Sequence, residues 1–224
     1  MNNSRILLGV SGGIAAYKAA ALTSTLVQRG CDVNVIMTDE AQRFITPLTF
    51  AALTHNRVHT SLWEEQERIP HIRLVREADV MAIVPATANV IAKLAQGIAD
   101  DLLTNCALAA TVPLVIAPAM NAAMYVNPAT IENLRTLRAR GVEIVEPESG
   151  FLAEREHGIG RLADEAKILA TIEAVLARRG ELRGIASPAG GGWQRLRVAG
   201  GRVGHHHLAI EVPGGMAEHR HHHG

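Results

Sequence analysis

Four short segments carry small or polar side chains where an otherwise apolar chain breaks: Ser11-Gly12-Gly13-Ile14, Thr38-Asp39, Pro85-Ala86-Thr87-Ala88-Asn89 and Pro118-Ala119-Met120-Asn121. Small residues at 11–13 let backbone N–H groups approach a phosphate at a helix start, and they equally allow close packing of a helix on a strand. The segment is neither GxGxxG nor a Walker loop, because no Gly-Lys-Ser/Thr follows it. Thr38 can donate its hydroxyl to the same phosphate or cap the turn that follows. Thr87 and Asn89 offer uncharged hydrogen bonds to the edge of a planar heterocycle, and Thr87 is also a helix cap by type. The Asn121 amide can donate to a carboxylate, while Met120 can pack on a ring. His71 follows Pro70 at the start of a helical stretch and reads either as a cap or surface residue or as a proton carrier near neutral pH.

These segments need a scaffold that brings them together. Residues 5–10, 32–37, 80–84, 114–117 and 142–145 are apolar or β-branched runs and read as strands, the continuous ones as strands covered on both faces. Helices are expected over 14–29, 47–53, 71–77, 88–97, 99–110, 128–140 and 164–179, with a further helix start at Thr38-Asp39-Glu40. Residues 146–161 read as a Gly-containing loop. Strands alternating with helices imply an α/β fold with a doubly wound parallel sheet, Rossmann-like, joined by right-handed crossovers. Ligands of such sheets gather at the carboxyl ends of the strands. Each of the four segments follows a strand.

Composition narrows the class. The 224 residues are 48% apolar and 20% charged, as in an ordinary globular domain. Lys+Arg and Asp+Glu are both 22, which leaves no electrostatic footprint for nucleic acid or an anionic membrane. Aromatics are 3%, so the core must be Ala, Val, Leu and Ile. Cys31 and Cys106 are too few for a disulfide framework and are expected as buried small apolar residues. No apolar run approaches the ~18 residues of a membrane span. The start shows no cleavable leader, so a cytoplasmic protein is expected. Residues 1–179 form the expected domain. Residues 180–224 form a Gly/His-rich tail that holds seven of the 11 histidines, at 205–207, 219 and 221–223, without spacing that would fix a metal.

In combination, SGGIAAYK at 11–18, RFITPLTF at 43–50, Pro70-His71-Ile72, PATANVIAKLAQGIADDLL at 85–103, PAMNAAMY at 118–125 and Gly158-Ile159-Gly160-Arg161 resemble the homo-oligomeric flavin-containing cysteine decarboxylases. The resemblance covers roughly residues 4–178 and is strongest to the members that act on 4'-phosphopantothenoylcysteine in coenzyme A biosynthesis. It implies FMN, with Ser11, Gly12, Gly13 and Thr38 at the phosphate and Thr87 and Asn89 at the flavin. It also implies His71 as the active-site histidine, Asn121 at the substrate carboxylate, and Met120 and Arg161 at the substrate. Residues 146–161 would be a flap, and the site would form between subunits of a trimer or dodecamer. The chemistry fits these parts. A cysteine carboxylate loses CO₂ only when the carbanion has a sink, which oxidation to a thioaldehyde supplies.

Two departures accompany the resemblance. The flap of many members carries a Cys used in the final reduction, and Glu154 stands there in this chain. Glu154 or His157 is then expected to supply the proton. The bifunctional members continue into a ligase domain, for which the 45 residues from Gly180 onward are too few. Alternatives are decarboxylation of a peptide's C-terminal cysteine to an enethiol, and a flavin-binding subunit without turnover. The flavin prenyltransferases share the architecture but fit SGGIAAYK and PAMN poorly.

Overall fold

The protein is described by a computed structural model over residues 1, 3–63, 70–151 and 157–186. Six strands form a parallel sheet: β1 (Arg5–Val10), β2 (Asp32–Met37), β3 (Val58–His59), β4 (Val80–Ala86), β5 (Leu114–Pro118) and β6 (Glu143–Ile144), in the order β3-β2-β1-β4-β5-β6. The order reverses between β1 and β4, which pair in register from Ile6–Val80 to Gly9–Ile83. Side chains alternate across the pleat, so Ile6, Leu8 and Val10 face one layer and Leu7 the other. The first layer holds α1 (Ala16–Gln28), α2 (Pro47–Thr54) and α8 (Glu165–Ala186), with Leu22, Leu26, Ile172 and Val175 in its core. The second holds α3 (Pro70–Glu77), α4 (Ala88–Gln96), α5 (Leu102–Ala109) and α7 (Pro128–Ala139), with Ile91, Leu103 and Leu134 buried. Cover on both faces is why the central strands read as unbroken apolar runs. The expected doubly wound α/β fold is the one observed.

The boundaries differ from expectation in instructive places. β4 continues through Pro85 to Ala86, past the expected stop at 84, because the pairing with β5 shifts between Ile83 and Ala86. A residue without an N–H is tolerated at such an irregularity. The helix expected from 99 starts at Leu102, since the Asp101 carboxylate accepts from the Thr104 N–H at 2.7 Å and fixes the cap there. Thr38-Asp39-Glu40 leads only into a short 3₁₀ turn, Ala41–Arg43. The edge strand β3, two residues long, has no run of its own in the sequence.

The stretch expected as a loop from 146 contains an antiparallel hairpin, β7 (Glu148–Phe151) and β8 (His157–Arg161). Its glycines, Gly150, Gly158 and Gly160, masked the strand pattern. α8 runs through Gly180 to Ala186, beyond the boundary expected at 179, because a Gly inside a helix costs only about 1 kcal/mol. Glu154 and the tail from 187 lie outside the described residues. Among those described, no helix is long and apolar enough to cross a membrane.

Candidate functional site

A cavity of about 1090 Å³ opens at the carboxyl end of the sheet beside the β1/β4 reversal. That is slightly above the ~300–1,000 Å³ usual for small-molecule sites, at the strand ends where ligands of such sheets gather. Its floor is built by one serine. Ser11 is fully buried, donates its hydroxyl to the Pro85 carbonyl at 2.7 Å and accepts from the Thr87 N–H at 3.1 Å. The ends of β1 and β4 are thereby stitched together. With its hydroxyl committed, Ser11 supports the wall from behind and is not part of the lining, a shift from the expected direct contact.

Gly12 and Gly13 do line the cavity. A Cβ on Gly12 would lie 2.2 Å from Glu40 Cβ and 2.8 Å from its carbonyl carbon, so no larger residue fits between the two loops. The helix that follows, α1, starts at Ala15 without a side-chain cap. By contrast α4, α5, α6 (Ala122–Tyr125) and α7 are each capped by a side chain, from Thr87, Asp101, Asn121 and Asn127. The Ala16 and Lys18 N–H groups turn back to the Gly13 and Ala15 carbonyls at 2.9 and 3.0 Å, so what the start of α1 offers the cavity is the positive end of its dipole, a setting that favours an anion. Thr38 is nearly buried, and its oxygen accepts from the Ala41 N–H at 3.2 Å, which leaves its own proton to donate. The cap reading of Thr38 is the one this bond describes, and the residue lines the cavity.

Thr87 and Asn89 form the next wall, with Thr87 capping α4 at Val90 N, 3.4 Å. Opposite them stands Asn121. Its carbonyl oxygen accepts from the Ala123 N–H at 2.8 Å, and among the described residues its NH₂ has no partner. Met120 is set by the hairpin: its N–H donates to the Gly160 carbonyl at 3.0 Å. Gly160 has φ +133°, and a Cβ there would lie 2.3 Å from the Met120 carbonyl oxygen, so only glycine lets β8 come this close. Arg161 lines the cavity and reaches Asp164 at 3.3 Å.

His71 does not line this cavity. α3 runs antiparallel to the sheet, with its last turn near Asp79 at the start of β4, so His71 at its opposite end reaches the carboxyl edge in the second layer. The His71 carbonyl accepts weakly from Cys106 Sγ at 3.7 Å, and its Nδ1 is buried without a partner among the described residues. Both cysteines are buried, and burial pushes the Cys106 thiol up to about 12. Neither lines the cavity.

Several lining residues escaped the sequence reading. Tyr17 and Lys18 follow Gly13 by four and five positions, so one helical turn places them above it. Lys18 makes no ion pair among the described residues. Asp101 lines the opposite side and pairs with Lys93 at 3.5 Å, while the stronger Lys93–Asp100 contact at 2.7 Å raises the lysine's pKa. The Asp-x-x-Thr capping pattern at 101–104 was the available signal. Phe151 and Met124 close the mouth.

Residues 1–177 match the family described as Flavoprotein. The chain belongs to the flavoprotein family. Among its relatives is the coenzyme A biosynthesis bifunctional protein CoaBC of Bacillus subtilis (strain 168), 51% identical over 175 residues, which span 77% of this chain and 43% of that protein. The CoaBC of Mycobacterium tuberculosis (strain H37Rv) is 40% identical over 178 residues, 80% of this chain and 43% of that one. This flavoprotein thus spans less than half the length of these relatives. Among solved structures, the FMN-dependent cysteine decarboxylase SpaF is 36% identical, with a TM-score of 0.71, covering 79% of this chain and 97% of that one. A cysteine-to-serine variant of PPC decarboxylase complexed with pantothenoylaminoethenethiol is 32% identical, with a TM-score of 0.70, covering 77% and 98%.

Proposed function

We propose that this flavoprotein is an FMN-dependent carboxy-lyase that converts 4'-phosphopantothenoylcysteine to 4'-phosphopantetheine in coenzyme A biosynthesis. One observation carries the reading: a single cavity joins an uncapped helix start, a neutral polar edge and an unpartnered amide donor. The uncapped start of α1 and the tight Gly12 cradle fit a cofactor phosphate, with the Thr38 hydroxyl beside it. Thr87 and Asn89 suit the edge of the flavin ring. When bound, FMN supplies the electron acceptor that makes loss of the carboxylate feasible. The Asn121 NH₂ holds the substrate carboxylate, and Arg161 and Lys18 balance the negative charge of an anionic substrate. Phe151 at the mouth excludes water.

His71 is assigned the proton-handling role in a neighbouring copy's cavity. Its position outside its own cavity and its orphaned Nδ1 support that assignment, as do the exposed Ile14, Tyr17, Met124 and Phe151 around the mouth. The working form would then be a homo-oligomer, a trimer or a dodecamer of trimers, in the cytoplasm. Residues 1–186, to the end of α8, would belong to the decarboxylase domain, and the rest of the chain would be a separate tail.

A second reading is favoured by the thiols. The sequence holds two cysteines, and both are buried away from the cavity. No thiol of this chain can therefore protonate the product during its final reduction. Glu154, or His157 whose ring lies 5.6 Å from Phe151, would have to serve instead. Without such a donor the product is an enethiol, as in maturation of a peptide's C-terminal cysteine. Purified full-length protein supplied with 4'-phosphopantothenoylcysteine and, separately, with a peptide ending in cysteine tests both readings. The first requires CO₂ and a saturated aminothiol from the former substrate. Turnover of the peptide alone would replace it with the second, and turnover of neither would leave a flavin-binding subunit.

A further inference from the structure

α6, the single turn that carries Asn121 at its start, has four residues and buries none of them. Met120 and Tyr125 pack half-buried against the core of the second layer, so apolar contact holds the turn only in part, and an isolated turn this short is not stable in water. Upstream it is tied by the Met120–Gly160 backbone bond. Downstream the structure offers one polar anchor. The Tyr125 hydroxyl donates to Glu146 Oε2 at 2.7 Å, and Arg138 at the end of α7 holds the other carboxylate oxygen. The Glu146 carbonyl accepts from Lys167 Nζ on α8 at 3.3 Å. Glu146 lies two residues before β7. One carboxylate thus links α6, α7 and the entry to the hairpin whose far strand backs Met120.

We propose that Tyr125, through Glu146 and Arg138, is a positioning residue that holds the Asn121 amide in register with the β7–β8 hairpin, so that carboxylate recognition and the cover over the cavity move as one unit. The inference rests on the reading of Asn121 as the carboxylate donor. Tyr125 sits four residues after Asn121, on the same side of the turn, and its N–H bonds the Asn121 carbonyl at 3.0 Å. Partial burial, followed by the Glu146 carboxylate, pushes the phenol up to about 12, so it remains a donor throughout the neutral range. The Arg138–Glu146 pair is about half exposed and adds little to global stability by itself. Its effect is therefore expected in the placement of the Asn121 amide, and so in substrate binding, and not in global stability.

The test compares Tyr125→Phe, Glu146→Ala and Glu146→Gln in the full-length, flavin-loaded protein. Tyr125→Phe and Glu146→Ala should raise KM for the cysteine carboxylate about tenfold, change kcat less than about twofold and leave flavin content and Tm unchanged. Glu146→Gln, which keeps an acceptor oxygen, should restore most of the loss. In an Asn121→Ala background, Tyr125→Phe should not weaken substrate binding, read by equilibrium titration of the flavin-loaded protein, any further. Independently of turnover, amide exchange should quicken together at 121–126 and 148–151 in Tyr125→Phe and nowhere else. Unchanged exchange in those two segments overturns the clamp, whatever the enzyme does. Quickened exchange with wild-type KM, or loss of flavin and Tm, overturns its positioning role. Absence of turnover by the wild-type protein counts against the decarboxylase reading, and the exchange result still decides the clamp.

Discussion

The two long walls of the cavity are built in opposite ways. On the β1/β4 side, strands buried on both faces deliver Gly12, Thr38 and Thr87, and Ser11 fastens their ends with a buried hydroxyl. On the other side, Asn121 and Phe151 sit on a one-turn helix and a half-exposed hairpin, joined by a backbone bond and a surface carboxylate. The first wall derives its precision from the core, so it should remain rigid and hold a permanent ligand. The second is held by a few polar contacts and should open first, which suits a transient substrate. On the proposed function, the cofactor would be held by the first wall and the product would leave past the second.

If the walls differ in this way, damage to each should have a different signature. The largest effect is expected for Gly12→Val. Its side chain would overlap Glu40 at 2.2 Å from the first atom onward, so flavin should be lost and stability should fall by about 1–3 kcal/mol or more. Flavin absorbance after gel filtration and thermal unfolding report both. Gly160→Ala should do the reverse. Strain at φ +133° and the contact with the Met120 carbonyl would detach the hairpin, lowering decarboxylation about 100-fold while flavin stays bound. Flavin loss in this variant would erase the distinction between the walls.

Ser11→Ala should cost about 1–3 kcal/mol, because the half-buried Thr87 N–H and the buried Pro85 carbonyl each lose a partner. A Tm unchanged by this variant would show that the floor is not fastened as described. The smallest effect concerns Cys106. Its folded pKa is raised from an ordinary 9.0 to about 12, so its share of stability is intact below pH 9 and is lost as pH rises toward 12. Cys106→Ala should flatten unfolding curves in that window and leave flavin and turnover near pH 7 unchanged.

The rigid wall was legible in the sequence and the polar wall largely was not. Strands such as 5–10 and 80–84 announce themselves by unbroken apolar runs, and each is followed by a small or polar segment that had to sit at the sheet edge. Ser11 was located but its role was not, because a hydroxyl's partner 74 residues away leaves no local trace. The β7–β8 hairpin hid because its glycines, placed for close approach to Met120 and Arg161, dilute the alternation that marks strands. Tyr125 and Glu146 meet across 21 residues with nothing periodic between them. Lys18 and Asp101 were recoverable, the first from helical spacing after Gly13 and the second from its capping pattern. His71 was singled out by its place at the start of a helix, yet its absence from the lining of its own cavity follows only from the topology.

The most direct test of the account mixes two inactive variants. Asn121→Asp and His71→Asn, each purified with flavin bound, should each fail to release CO₂ from 4'-phosphopantothenoylcysteine. Dissociated, mixed and reassembled, they should recover a substantial fraction of wild-type CO₂ release, since some cavities would then pair an intact Asn121 with a neighbour's intact His71. Full activity of either variant alone, or a reassembled mixture as inactive as its parts, would contradict a carboxylate site completed by a second copy.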